Sequence, residues 1–430
     1  MKTNFTADQR SNPLMAMMEE NLRKCVHCGF CLPSCPTYSV SGDERESPRG
    51  RIYLIKDMLE REGAPNKEIV THIDSCLSCL ACMSACPSGV NYQHYIDYAR
   101  HHVENHHQRR GFERFMRMLL VYTITHAKVF KIALKVAKLA KPFSRFFGLK
   151  ISNMISMAPT KLKTAEITNE PRIYPAEGIR IKRVGLLMGC AQNVLRPSVN
   201  EATIRLLTRM GMEVVVSDGV GCCGALSHHI GKNDIARDSA KTNIDAWLKE
   251  FDQRGLDNII INAAGCGTEV KDYAYMFKDD PAYKGKAQKI SDLTRDISEL
   301  ISEHQLPTVK LSNQPNIIYH DACSLMHGQG IRLEPREHLK SAGFEVVEIP
   351  GRHFCCGSAG SYNLLQPTMA NELKDRRLAL IGEVSDSNKV SILATGNIGC
   401  LMQFASGTDL QVVHTVELLD WATGGLKPPY

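Results

Sequence analysis

The 430-residue sequence predicts a small helical domain built around two cysteine runs, a basic helical linker, and a duplicated domain of parallel α/β type. Three observations carry that prediction. Two runs near the N-terminus share the spacing C-x2-C-x2-C-x3-C-P, a lysine-rich amphipathic stretch follows them, and the eight remaining cysteines recur in two copies with matching flanks.

Composition sets the outer bounds. A chain of this length has a soft prior of about three domains, and with 43% hydrophobic residues it can bury several cores. The opening stretch "MKTNFTADQRSNPLMAMMEE" lacks the sustained apolar segment and small-residue cleavage site of a secretory leader. Sixteen cysteines in such a chain point to metal or redox chemistry instead of a disulfide framework. The longest apolar run of interest for a membrane, Met118 to Ala127, falls far short of the roughly 20 residues a spanning helix needs. The expectation is a soluble, cytoplasmic protein, with attachment to the inner face of the cytoplasmic membrane left open.

Residues 1–104 form the first expected domain. Cys25, Cys28, Cys31 and Cys35 precede Pro36; Cys76, Cys79, Cys82 and Cys86 precede Pro87. This is the run that holds [4Fe–4S] clusters in bacterial ferredoxins. Three thiolates on one tight turn cap three corners of a cube, and the fourth, unable to fold back, serves the other cube. The spacing therefore assigns Cys25, Cys28, Cys31 and Cys86 to one cluster, and Cys76, Cys79, Cys82 and Cys35 to the other. Two separate zinc sites are the weaker reading, since both runs match in full, prolines included. The interval "SPRGRIYLIKDMLEREG" reads as a turn at Ser47, Pro48 and Gly50, then a helix with Ile52, Leu54, Ile55, Met58 and Leu59 on one stripe. An interval this long predicts a helical, not compact, two-cluster domain. Arg49 and Arg51 either offset cluster charge, face an acidic partner, or are ordinary solvated arginines.

Residues 105–180 form the linker. The net charge of +6 hides its asymmetry: from Asn105 to Lys163 there are thirteen Lys/Arg against the single acid Glu113, which suggests an anionic partner. In "AKVFKIALKVAKLAKP", Lys128, Lys131, Lys135, Lys138 and Lys141 make one basic helical face, Phe130, Ile132, Leu134, Val136, Ala137 and Leu139 fill much of the rest, and Pro142 marks the stop. Such a helix can lie in the interface of an anionic bilayer; docking on a partner subunit and a plain inter-domain bridge are the rivals. Nucleic acid is not expected, for want of stacking aromatics or a binding motif.

The two copies are expected at 181–310 and 311–430. Cys190, Cys222, Cys223 and Cys266 in the first match Cys323, Cys355, Cys356 and Cys400 in the second. The leading interval is 32 positions in both, and "GMEVVVSDGVGCCG" parallels "GFEVVEIPGRHFCCG". Each copy opens with a short apolar strand, and further strands run into the Cys-Cys-Gly turn and toward the last cysteine. Functional groups gather at the carboxyl ends of parallel strands, so the four cysteines of each copy should converge into a pocket.

Three other patterns carry less. Gly219-x-Gly221-x-x-Gly224 matches a dinucleotide fingerprint, but the duplicate lacks its first two glycines and no ribose-binding acid follows. His102 and His106 share a helical face in "HHVENHH", whose order is not that of a zinc protease. His228, His229, His320 and His353 lie near the pockets in sequence, where they could tune a site, exchange protons with a quinone, or be structural.

Taken in order, "CVHCGFCLPSCPTY", "SPRGRIYLIK", "CLSCLACMSACPSGV", "GCAQ", "GCCGALSHH", "NAAGCG", "CCGSAGSYNLLQP" and "NIGC" resemble the iron–sulfur subunits of glycolate oxidase (glycolate dehydrogenase) over nearly the whole chain. The resemblance implies an electron-transfer subunit with two [4Fe–4S] clusters on the eight ferredoxin-type cysteines. It implies a flavin-bearing catalytic subunit and a second FAD-binding-domain subunit as partners, FAD on those partners only, glycolate oxidised to glyoxylate, and a membrane quinone as acceptor. No catalytic residue is expected on this chain itself. Iron–sulfur subunits of D-lactate, 2-hydroxyglutarate or glycerol-3-phosphate dehydrogenases are the alternatives, and a thiol or disulfide reductase working at the Cys-Cys-Gly motifs is a more distant one. The duplicated half is similar to the cysteine-rich Cys-Cys-Gly domains of heterodisulfide reductase, in which each motif ends C-x-x-C. Here Glu269 and Gln403 replace that fifth cysteine. Each pocket thus has four cysteines, which leaves open a further cluster, a redox-active thiol pair or a structural relic.

Overall fold

The computed structural model describes residues 1–61, 63–159, 170–352 and 354–428. His353 and the stretch 160–169 of the linker lie outside them. The N-terminal domain is helical. The helix Pro48–Glu60 begins at the segment read above as a separate turn: Ser47 caps it by accepting from the Gly50 N–H, and Pro48 takes the first helical position, where a missing N–H costs nothing. Its buried side, Ile52, Ile55, Met58 and Leu59, packs with Leu22 of Pro13–Lys24, Ile73 of Lys67–Asp74, and Tyr95, Ile96 and Ala99 of Tyr92–His106. Cys25, Cys76 and Cys82 belong to this same core.

Helices Gly111–Thr125 and Ala127–Ala140 follow, then a 3-10 turn over Lys141–Phe146 that begins where Pro142 was expected to end the basic helix. Leu120, Val121 and Ile124 turn inward onto Ile230, Leu226 and Cys190, and Leu134 packs on Val194. The amphipathic expectation needs one amendment: the apolar residues of Ala127–Ala140 divide. Phe130, Leu134 and Ala137 face the protein, while Ile132, Val136 and Leu139 stay exposed among the lysines. Among the described residues, no helix is long and apolar enough to cross a membrane.

The duplicated half contains two sheets. The first has strands β1 (Arg172–Tyr174), β2 (Lys182–Leu186), β3 (Met212–Val216), β4 (Asn258–Ile261) and β5 (Thr294–Asp296) in the order β1-β3-β2-β4-β5. The second has β6 (Ile317–His320), β7 (Val346–Glu348), β8 (Ile392–Thr395) and β9 (Gln411–His414) in the order β7-β6-β8-β9. All pairings are parallel except β1 with β3. Apart from β1, the two orders are the same, and β2 and β6 sit where the winding reverses. The central strands read as short continuous apolar runs, as buried parallel strands do. The antiparallel edge strand β1 and the fourth strands β5 and β9 carry no such signal and were not foreseen.

The repeats interlock. Ser198–Arg209 of the first packs against Thr415–Ala422 of the second, and Ile297–Glu303 of the first against Glu334–Ser341 of the second. One apolar cluster runs through Leu186, Val214, Leu207, Tyr319, Val413 and Leu418 of both copies. Arg205 and Arg209 close on the fully buried Asp420 across the seam.

Candidate metal centres

The two N-terminal runs form matching turns. His27 and Gly29 in the first, and Ser78 and Leu80 in the second, adopt positive φ at the same offsets from Cys25 and Cys76. That alternation curls the backbone round a centre and turns N–H groups toward it; the Ser78 N–H already reaches Cys76 Sγ at 3.4 Å. Cys25, Cys28, Cys31 and Cys86 line one cleft, and Cys35, Cys76 and Cys79 line a second, with Cys82 on the wall of both. Each run's fourth cysteine thus stands with the other run's first three. Burial, with Cys25 and Cys86 nearby, pushes the Cys31 thiol up to about 11, and it drives Cys79 and Cys82 well above the ordinary thiol range. Crowded buried thiols of this kind are the soft donor set that iron in a cluster converts to thiolates, so the residues fit two four-iron groups.

Arg51 is 1% exposed and lies inside the second site, Nη1 at 3.9 Å from Cys35 Sγ. Its Nε donates to the His72 carbonyl at 2.7 Å, and its Nη2 to Glu46 and to Thr37 Oγ1. Of the readings above, burial removes the ordinary solvated arginine for Arg51. Arg49 stays near the surface, paired with Glu44 and donating to the His27 carbonyl.

The Cys-Cys-Gly turns bring the remaining cysteines together. Cys190 follows β2, Cys222 and Cys223 follow β3, and Cys266 lies in the helix Ala264–Lys271 after β4; the second copy repeats this about β6, β7 and Ile398–Ala405. Cys222 and Cys190 have their sulfurs 3.6 Å apart, and Cys323 and Cys355 3.8 Å apart. The glycine of the motif has a plain cause. Gly224 and Gly357 have φ of +91° and +84°, and a Cβ there would stand 2.9 and 2.5 Å from the carbonyls of Ala236 and Ala370 in the long helices Asn233–Arg254 and Pro367–Asn388. Their N–H groups point at Cys222 and Cys355 Sγ. The Gly221 N–H is taken by Asn243 Oδ1, so this glycine loop turns its donors to the protein's own atoms.

The pockets differ in their surroundings. In the second, His320 stands where the first has Leu187: a ring nitrogen of His320 and the sulfurs of Cys356 and Cys400 lie within 4.8 Å of one another. Arg377 Nε donates to His320 Nδ1 at 3.4 Å, leaving Nε2 without a partner, and burial with Arg377 keeps the ring neutral. In the first, His228 pairs with Glu269; His229 stands 3.9 Å from Asp97. His102 stacks on His106 at 4.1 Å.

Several contacts escaped the sequence reading. Arg100 donates to the Cys76 carbonyl and to Ser78 Oγ, Tyr362 to the Ser75 carbonyl, and Tyr273 to the Cys223 carbonyl. The first two tie the second cluster turn to its surroundings across long stretches of chain. Cys79, Leu77, Cys355, Tyr362 and Cys323 share one apolar cluster, so the second cluster site adjoins the second-repeat pocket. The helix bearing Cys266 then leads to the first: Ala264 packs in the core of Cys356 and Cys400, and Thr268 Oγ1 donates to the Ser324 carbonyl.

A ferredoxin-like dicluster domain joined to two Cys-Cys-Gly α/β domains is the build of an iron–sulfur electron-transfer protein. Family models agree, a 4Fe-4S dicluster domain matching residues 21–90 and a cysteine-rich domain matching 184–271 and 317–405. The glycolate oxidase iron-sulfur subunit of Escherichia coli (strain K12) is 36% identical, covering 98% of this chain and 99% of that protein. A probable glycolate oxidase iron-sulfur subunit of Bacillus subtilis (strain 168) is 32% identical over 99% of both. Lactate utilization protein A of the same bacterium is 24% identical, covering 55% of this chain and 99% of that protein. The chain belongs to the family of glycolate oxidase iron–sulfur subunits.

Proposed function

We propose that this chain is the electron-transfer subunit of a glycolate dehydrogenase complex, taking electrons from an FAD-bearing catalytic subunit that oxidises glycolate to glyoxylate and directing them toward a membrane quinone. The observation that carries the proposal is the graded burial of the thiolate sites, from the exposed Cys28 inward to Cys79, which packs against the second-repeat pocket. Bound four-iron clusters supply one-electron carriage there. Cys25, Cys28, Cys31 and Cys86 hold the outer one; Cys35, Cys76, Cys79 and Cys82 hold the inner one, with Arg51 countering its charge. Val26 and Phe30, each 67% exposed, and Tyr53 flank the outer site and offer an apolar landing for the flavoprotein. A second FAD-binding-domain subunit completes the complex. Domain limits of 1–104, 105–180, 181–310 and 311–430 suit this division of labour.

The linker supplies the membrane contact. Most of the exposed large apolar side chains among the described residues fall between Phe112 and Phe147, including Phe115, Tyr122, Ile132, Leu139 and Phe146. Exposed Lys128, Lys131, Lys135 and Lys138 stand among them. Apolar side chains rimmed by cations suit an anionic lipid surface, and the inward side of these helices covers Cys190.

The test is anaerobic reduction of the co-purified complex by glycolate, followed by EPR and iron analysis. At least about eight irons per chain, with two four-iron clusters at the N-terminal sites reduced by glycolate, is the expected result. Reduction by D-lactate, 2-hydroxyglutarate or glycerol-3-phosphate but not glycolate moves the assignment to a sister complex. Loaded clusters that no partner flavoprotein reduces overturn the relay altogether.

A further inference from the structure

The two Cys-Cys-Gly pockets stand on one frame but differ at a matched pair of side chains. In the first repeat His228 Nδ1 meets Glu269 Oε1 at 2.9 Å, both residues buried. In the second, Asn363 Nδ2 donates to Gln403 Oε1 at the same 2.9 Å, again buried. Glu269 and Gln403 each lie three positions beyond their copy's last cysteine, on the helix that bears it. The same join is therefore built once from an acid and a base, and once from their uncharged analogues. An amide pair can hold a shape, but only the acid–base pair can also carry a proton.

The charged pair has a route to solvent. Asp97 and Arg100 of Tyr92–His106, Asp272 ahead of Tyr273–Met276, and His229 surround it, and His94 bonds Asp272 at 3.0 Å. Asp97 is 5% exposed, and neither of its carboxylate oxygens has a hydrogen-bond partner; the Arg100 guanidinium and the His229 ring are each 3.9 Å away. A cavity of about 250 Å³ between the N-terminal domain and the first repeat is lined by His94, Asp97, His101, His228 and Asp272, polar enough and roomy enough for several waters at about 30 Å³ each. Burial opposes charge on His228, but the carboxylates of Glu269 and Asp97 raise it to about 10, so at neutral pH it stands loaded.

We propose that His228 and Glu269 couple the first-repeat pocket to proton uptake, a pair that the second-repeat pocket replaces with Asn363 and Gln403. The inference rests on the reading that the four thiolates of the first pocket hold a one-electron iron–sulfur group in addition to the two N-terminal clusters. The electron comes from the reduced N-terminal sites, themselves reduced by the flavoprotein. The negative charge it adds at Cys190, Cys222, Cys223 and Cys266 draws the proton on His228 Nδ1 across to Glu269 Oε1. His228 then takes a replacement from solvent through the cavity beside Asp97. One electron and one proton enter together, and both leave when the pocket is reoxidised by the acceptor. His228 and Glu269 are positioning and proton-holding residues, tied to the pocket through the helix that carries both Cys266 and Glu269.

The test transplants the second repeat's chemistry into the first: His228→Asn with Glu269→Gln, in the full holo-subunit, with spectroelectrochemical titration at several pH values around neutrality. In the parent protein the midpoint of the first-pocket signal, identified by its loss in Cys222→Ser, falls by about 59 mV per pH unit, a tenfold change in proton concentration for one electron. In the double variant that slope flattens while the second-pocket signal is unmoved. A slope that survives the exchange, or a parent midpoint independent of pH, overturns the proposal. About eight irons and no first-pocket signal in the parent overturns instead the reading on which it rests. Glu269→Gln alone, which keeps His228 and its hydrogen bond, serves if the double variant folds poorly; it too removes the slope.

Discussion

Replacing Arg51 by glutamine should lower the midpoint potential of the inner cluster while leaving the outer one nearly in place. Arg51 is the buried cation closest to Cys35, with Nη1 at 3.9 Å from Sγ. At an effective dielectric of about 20, a unit charge at that distance contributes about 4 kcal/mol, which for one electron corresponds to roughly 180 mV, taking about 1.4 kcal/mol and 59 mV per tenfold change. Glu46, paired with the same guanidinium, offsets part of this, so the expected fall is on the order of 100 mV. The variant also leaves the buried Glu46 carboxylate to His72 and Ser75 alone, a loss of at most about 3–5 kcal/mol of stability. The companion Arg51→Gln/Glu46→Gln relieves that loss, and its midpoint should lie between those of the parent and the single variant. The assay is an EPR-monitored redox titration of the anaerobic holo-subunit. A folded Arg51→Gln protein whose inner-cluster midpoint moves by less than ~30 mV would refute the argument that this guanidinium sets the charge of the site.

Gly224→Ala and Gly357→Ala should each cost about 2–4 kcal/mol, combining a left-handed backbone with a backbone clash; denaturant melts as cooperative and as stable as the parent's would contradict this. Ile132→Glu with Leu139→Glu should abolish co-sedimentation with vesicles containing anionic lipid and leave the thermal midpoint unchanged, since both side chains are exposed. Retained binding would place lipid contact elsewhere. Two groups at the inter-domain seam give opposite pH limits. Asp97, held down at about 2 by His228 and His229 despite its burial, contributes stability that is present above about pH 4 and lost as pH falls toward 2. His228, raised to about 10, contributes stability that is complete below about pH 6.5 and lost as pH climbs through 10. Thermal melts across pH should show both flanks, and Asp97→Asn should weaken both.

The cysteine spacings made the helical two-cluster domain and the repeated α/β half legible, because ligand spacing and apolar strand runs are local signals. The converging thiols of each pocket followed from strand ends alone. What sequence could not supply were groups whose meaning depends on folding partners. Arg51 looks like any arginine in a charged loop until Glu46, His72 and Thr37 close around it. Asp97 and Asp272, far apart in the chain, become neighbours of His228 only when Tyr92–His106 lies on the first repeat. β1, β5 and β9 are short and partly polar, and their pairing is decided by the sheet they join. The split of Ala127–Ala140 into an inner and an outer apolar side likewise depends on Val194 being there to receive Leu134.

The interlock of the repeats has a consequence for how such a protein can diversify. Ser198–Arg209 rests on the second copy's last helix, Glu334–Ser341 rests on Ile297–Glu303 of the first, and Asp420 is gripped by arginines from across the seam. Each copy also buries apolar residues of its own, around Trp247 in the first and Phe404 in the second, but the cluster at the seam is shared, so the stability of the two halves is coupled. The residues around each thiolate pocket lie outside that shared core. Two sites on one cooperative scaffold can therefore drift apart in chemistry, histidine and glutamate in one and arginine-held histidine in the other, without either having to secure its own stability.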